Sequence, residues 1–184
     1  MHKSNHKMVN AHDCEECASE RTATLERPYH FLESGLPNVY LTGIRYFVCT
    51  ECNQTTVEIP AIESLMQVIA RTVVEREAKL SGAEIRFLRK RLGKKAVEFA
   101  GIVGVSPEQL SRWENESNPP EKATDKLIRL YYAVQSGDPA LKTKLAGLSQ
   151  WLQDIPTLNS VPKICASLNK NQEWKALAAT AGVR

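Results

Sequence analysis

The spacing of apolar positions changes at Pro60, and the change separates two kinds of element. Up to Pro60 apolar and polar residues alternate loosely in short runs, VYLTGI (39–44), RYFVC (45–49) and TTVEI (55–59), broken by Gly35, Pro37 and Gly43. That period and punctuation predict short β-strands. From Ile62 onward, Ile62, Met66, Ile69, Val73 and Leu80 follow alternating steps of four and three, with Arg76 in the remaining slot. This spacing predicts a connecting helix of about 18 residues, too short for a coiled coil, with a joint at Ser81-Gly82.

Residues 83–137 read as four short helices closed up by Gly and Pro. AEIRFLRKRL (83–92) sets Ile85, Leu88 and Leu92 on one face and Arg86 and Lys90 elsewhere; KKAVEFAGIV (94–103) is expected to bury Val97, Ala100 and Val103 or their neighbours. GVSPEQLSRWENESNPP (104–120) has a heavily specified start: Ser106 as cap, Pro107 in the first helical position, and Gln109 completing an S-x-x-Q capping box. Val105 and Leu110 form the hydrophobic staple, and only Leu110 and Trp113 have the spacing of buried positions. EKATDKLIRLYYAVQ (121–135) follows Pro119-Pro120, and PALKTKLAGLSQWLQ (139–153) carries Leu141, Leu145, Leu148 and Leu152 on an amphipathic face. QEWKALAATA (172–181) has a helical composition with no readable role.

Composition alters this picture in two places. At 184 residues and a net charge of +3 the chain has no apolar run near the ~18–20 residues of a membrane span, and MHKSNHKMVNAHDC lacks a signal-peptide core. A cytoplasmic, non-membrane protein is expected. Charge, however, is divided. Residues 13–60 carry eight acids against three arginines, a net of −5, whereas residues 84–129 carry ten Lys/Arg against seven acids, a net of +3. RFLRKRLGKK (86–95) alone has six basic residues and no acid. Two surfaces for different partners follow, the basic one suited to nucleic acid.

Four of the five cysteines form two knuckles, Cys14-Glu-Glu-Cys17 and Cys49-Thr-Glu-Cys52. Two intervening residues let each pair turn both sulfurs toward one ion, and four thiolates suit a tetrahedral Zn²⁺ at about 2.3 Å per Zn–S bond. The long gap between knuckles implies an inserted hairpin. Two unrelated reduced pairs, or redox use with iron or a dithiol, are the alternatives. A thioredoxin-like pair would follow a strand and open a helix, and neither knuckle does. Four protein ligands leave no open position for water, so the zinc is structural and no enzymatic role is expected. His2, His6, His12 and His30 read as solvated side chains, and Cys165 as a small buried one.

A polar helix that buries two residues and follows another short helix has the plan of a helix-turn-helix, whose second helix enters the major groove. IRFLRKRLGKKAVEFAGIVGVSPEQLSRWENESNPP is similar to the XRE or Cro/C1-type helix-turn-helix family over about a third of the chain. With the cysteine knuckles upstream, and with VYLTGIRYFVCTECN resembling a YgiT-type zinc domain, the order resembles the MqsA-type antitoxins. The resemblance implies a structural ion pair between Arg89 and Glu114. It puts Ser106, Glu108, Gln109 and Arg112 on the groove-facing side, and Asn115 near a phosphate contact. Ala96 stands where the family has Gln, and Glu116 where it has Gly. Lys94 and Lys95, at a helix N-terminus, are candidate phosphate contacts. Arg112 is a candidate reader of guanine O6 and N7, or a phosphate contact; Glu108 either accepts from cytosine N4 or repels wrong sites.

The expected fold is α+β: a small N-terminal β-rich zinc-binding domain (13–60) after a disordered tail (1–12), joined by a linker helix (61–82) to an all-α helix-turn-helix domain (83–153), with a C-terminal extension (154–184). The resemblance implies an antitoxin and autorepressor that neutralises a cognate toxin through the zinc domain and binds a palindromic double-stranded DNA operator as a homodimer. A zinc-containing XRE-family regulator with no toxin, and an iron–thiolate redox protein with a DNA-binding appendage, are the other readings.

Overall fold

The computed structural model describes residues 14, 16–17, 21–24, 28–115, 120–147 and 163–177, so the expected tail at 1–12 lies outside the described residues. The fold is α+β. Strands β1 (Arg21–Thr24), β4 (Arg45–Cys49) and β5 (Thr55–Glu58) form an antiparallel sheet in the order β1-β4-β5. A second sheet takes β2 (Tyr29–His30) and β3 (Val39–Thr42) together with two late strands, β6 (Ile164–Leu168) and β7 (Trp174–Leu177), in the order β2-β3-β6-β7. The insert between the knuckles does contain a hairpin, β2-β3, paired Tyr29 to Leu41. It also reaches across the chain: β3 and β6 are parallel, with Val39 opposite Ile164 and Leu41 opposite Ala166.

Helix α1 (Ile62–Glu75) lies on β6 and β7, burying Leu65, Ile69, Ala70, Val73 and Val74. It is shorter than the spacing implied, because Arg76 turns extended (φ −70, ψ 157). Leu80 therefore falls in the following turn, where its N–H donates to Asp125 Oδ1 at 2.7 Å. The buried stripe is also rotated from the expected one: Ile62 is exposed and Met66 half-buried.

The four expected helices are α2 (Gly82–Arg91), α3 (Ala96–Val103), α4 (Pro107–Glu114) and α5 (Lys122–Gln135). Ser81 and Glu84 cap α2 reciprocally. In α3 the inward positions are Phe99, Ala100 and Val103; Val97, expected inside, is 69% exposed because α3 starts at Ala96 and turns this position outward. Helix α6 (Pro139–Leu145) buries Leu141, and Leu148 and Leu152 lie outside the described residues. QEWKALAATA does not open a helix: Trp174–Leu177 is strand, because its pairing with β6 and the seat of Trp174 in the core outweigh local propensity. One apolar cluster runs from Phe31 in the β2-β3 hairpin through α1–α6 to Trp174. Among the described residues no helix is long and apolar enough to cross a membrane.

Candidate nucleic-acid interface and metal centre

The pairing of β1 with β4 assembles the cysteine cluster. Arg21 sits opposite Cys49, so the first knuckle, just upstream of β1, is delivered to the second at the β4-β5 turn. That turn closes through Asn53 N–H to Cys49 O (3.1 Å) and Cys49 N–H to Gln54 O (2.9 Å). Asn53 is left-handed (φ 57), a conformation asparagine tolerates better than most residues. The sulfurs of Cys14, Cys17, Cys49 and Cys52 all lie within 4.8 Å of one another. The Cys14–Cys52, Cys17–Cys49 and Cys17–Cys52 separations are 3.7, 3.3 and 3.6 Å. Zn–S bonds of about 2.3 Å in a tetrahedron require S···S distances of about 3.8 Å, so this donor set fits a four-thiolate metal site. Cys14 and Cys49 are buried, Cys17 and Cys52 exposed.

Backbone donors prepare part of the cluster for ionisation. The Cys52 N–H, with lesser help from Glu51, brings the Cys49 thiol down to about 6 against the opposing effect of burial. The Cys17 N–H lowers Cys14 in the same way. Cys52 is pushed up to about 12: the Gln54 N–H opposes the rise, while the Cys49 sulfur and burial drive it. Four adjacent thiols cannot all ionise unaided, and a bound dication removes that conflict.

The second site is built on α2, α3 and α4. Arg89 on α2 donates from Nε to Glu114 Oε1 (2.6 Å) and from Nη2 to Oε2 (2.8 Å), the ion pair expected from the family pattern. Its Nη1 donates to Lys94 O at 2.9 Å, so one guanidinium ties α2 to the end of α4 and to the approach to α3. Arg86, which the sequence pattern set among outward basic residues, is part of the same construction. Its Nη2 donates to Glu114 O (3.1 Å) and Asn115 Oδ1 (2.7 Å). The signal for it was its position three residues before Arg89, which places both on one helix face. Glu114 is buried at 8% exposure between the two arginines.

This clamp leaves α4 with its outer face clear. Leu110, Trp113 and Glu114 are inside; Ser106, Glu108, Ser111, Arg112 and Asn115 are exposed, and Gln109 is half-buried. Ser106 Oγ accepts from Gln109 N–H at 3.1 Å, the forward half of the expected capping box. Its own N–H and the Ser106 hydroxyl hold the Glu108 carboxyl below the usual range. Asn115 is already engaged at both ends, accepting from Arg86 and donating to Ser111 O at 2.9 Å. Lys94 Nζ is bonded to Glu98, which raises its pKa, whereas Lys95 stands exposed at the N-cap of α3.

A short helix, a tight turn at left-handed Gly104 (φ 76) and a second helix with a polar outer face define a helix-turn-helix. Residues 85–131 match the family model described as "Helix-turn-helix". The chain is also similar to the "Uncharacterized HTH-type transcriptional regulator YiaG" of Escherichia coli K12, O6:H1 and O157:H7, at 40% identity over 65 residues. That stretch is 35% of this chain, and the chain spans 64% of the length of those relatives. No solved structure matches it.

Proposed function

We propose that this protein is a non-enzymatic, DNA-binding transcriptional regulator that lays α4 in the major groove and holds a structural Zn²⁺ on Cys14, Cys17, Cys49 and Cys52. The observation that carries it is the double-arginine clamp on Glu114, which fixes α4 against α2 while Ser106, Glu108, Ser111 and Arg112 face outward. A homodimer on a palindrome would place two such helices about 34 Å apart, one turn of duplex. Enrichment of bound sequences from a random duplex library, followed by footprinting, should yield two half-sites related by a dyad. Equal retention of all sequences would overturn it.

The finer reading is an antitoxin that represses its own operon. It is supported by the resemblance to the MqsA-type order and by the −5 charge of residues 13–60, which suits a basic protein partner rather than DNA. In this division residues 13–60 bind metal and toxin, 61–82 link, 83–153 bind DNA, and the extension at 154–184 supplies strands to the sheet that the β2-β3 hairpin begins. A regulator with no toxin is the second reading, favoured by the description of the relatives as transcriptional regulators. Affinity capture from the native host, followed by mass spectrometry, separates them: a stoichiometric small basic partner supports the antitoxin, and its absence at native expression supports the plain regulator.

A further inference from the structure

We propose that the cleft between the turn at residues 33–35, α1 and α2 binds a small organic carboxylate with an apolar body, and that its occupancy draws Arg86 away from the reading helix. The cleft encloses about 260 Å³, just under the ~300 Å³ at which drug-sized sites begin, which suits a metabolite rather than a macromolecule. Met66 of α1 and Phe87 of α2 supply its apolar surface, and Arg86, Lys90 and Arg91 supply three cations.

The acids nearby do not use up these donors. Glu33 lines the cleft and is taken by the Tyr29 hydroxyl. Glu63 accepts from Arg91 Nη2 at 3.0 Å, which leaves Arg91 Nε buried with no partner among the described residues. Lys90 is exposed, and no described residue pairs with its ammonium. Glu114 gives both oxygens to Arg89 at 2.6 and 2.8 Å, and Arg86 Nε reaches the same carboxylate only at 3.4 Å. A carboxylate in the cleft would meet an unpaired ammonium beside the Arg86 and Arg91 guanidinium groups over an apolar floor, the combination that makes charge-assisted hydrogen bonds strong.

Arg86 joins this cleft to α4. It lines the cavity, and its Nη2 holds Glu114 O and Asn115 Oδ1 at the C-terminal end of α4. Recruiting its guanidinium to a ligand releases that end of the helix and weakens DNA binding. This coupling rests on α4 being the DNA-reading helix, whereas the site itself does not.

Benzoate serves as the probe, with benzamide as its uncharged isostere, titrated at constant ionic strength into the full-length protein without DNA and followed by amide NMR. Saturable shifts centred on Ala83, Phe87 and Lys90 are expected, weakened about tenfold or more for benzamide and for Lys90→Gln by loss of a charge-assisted hydrogen bond. Lys90 is exposed, so its replacement leaves the fold intact. Unsaturable shifts, equal response to benzamide, or an unaltered Lys90→Gln titration overturn the site. Saturating benzoate should also weaken operator binding by the wild type and leave Lys90→Gln unchanged. Benzoate binding with unaltered operator affinity overturns the coupling, and benzoate binding by a protein that selects no DNA overturns the reading of α4 while the site stands.

Discussion

Replacing Arg129 by methionine would remove a guanidinium that is completely buried on α5. An α-helix leaves its last four carbonyls without internal partners, and those of α1 point into protein. Arg129 Nη1 donates to Val73 O, Val74 O and Arg76 O at 2.9 Å each, and Nη2 to Ala78 O at 2.5 Å. Its Nε donates to Asp125 Oδ2 at 2.6 Å, while Asp125 Oδ1 takes the Leu80 N–H. One side chain thus caps α1, fixes the turn at 76–80, and neutralises a buried acid. Methionine fills similar volume and supplies no donor. Breaking a buried ion pair costs about 3–5 kcal/mol, and each carbonyl left dry adds about 1–3 kcal/mol. Allowing one carbonyl to stay dry, the loss is about 4–8 kcal/mol, against a total of about 5–15 kcal/mol for ordinary domains.

Urea unfolding followed by far-ultraviolet circular dichroism reads this directly. With a slope of about 1–3 kcal/mol/M, the midpoint of Arg129→Met should fall by about 1.3 M or more, or the variant should be unfolded without denaturant. Asp125→Leu combined with Arg129→Met should lose less than the two single changes together, since the residues touch. An Arg129→Met variant within about 1 kcal/mol of wild type would refute the reasoning: the carbonyls would then be satisfied by water and the clamp would be ornamental.

Cys49→Ser should lose stoichiometric metal and unfold the β1-β4-β5 sheet, read by elemental analysis and circular dichroism; one tightly bound zinc retained in the variant would exclude the four-thiolate site. Metal affinity should fall as pH falls, because protons compete for thiolates and Cys52, held up near 12, must release one on binding; a chromogenic chelator at several pH values measures it. Arg112→Ala should leave the fold intact and cost about 1–3 kcal/mol on the operator, with discrimination relaxed at one base pair per half-site; a loss uniform across sequences would make Arg112 a phosphate ligand. Lys95→Ala should lower the salt slope of DNA binding by about 0.9 for each phosphate no longer neutralised, and more than Lys94→Ala does, since Lys94 is already held by Glu98; equal slopes in all three proteins would remove both lysines from the interface.

What the sequence made legible is what acts over short chain distances. The knuckles, the cap at Ser106 and the burial of Leu110 and Trp113 each follow from residues within a turn or two, and the structure shows all three. Arg89 and Glu114 were legible only through the family pattern, since 25 residues separate them. Arg129 was invisible for a physical reason. On an α5 wheel an arginine reads as solvent-facing, and its burial depends on four carbonyls contributed by residues more than fifty positions away. The strands β6 and β7 were missed for the same kind of reason: WKAL has a helical composition, and only its pairing with β6, which in turn pairs with the distant β3, decides otherwise.

The late hairpin also changes how the two proposed activities must be tested. Gly43 has no Cβ, and one there would sit 2.7 Å from Leu168 O, so the turn after β3 is built around β6. Trp174 Nε1 donates to Pro60 O at 2.9 Å, fastening the hairpin to the start of α1. Cutting the chain at Pro60 would strip β3 from Ile164 and Ala166, both buried, and would expose apolar surface on the sheet that α1 covers. A truncated DNA-binding half would then lose operator affinity through damage to α1 and the Arg129 clamp above it, whatever the zinc half does. Partner binding and DNA binding are therefore separable by point changes on exposed residues such as Arg112 and Lys95, and truncation would confuse the two.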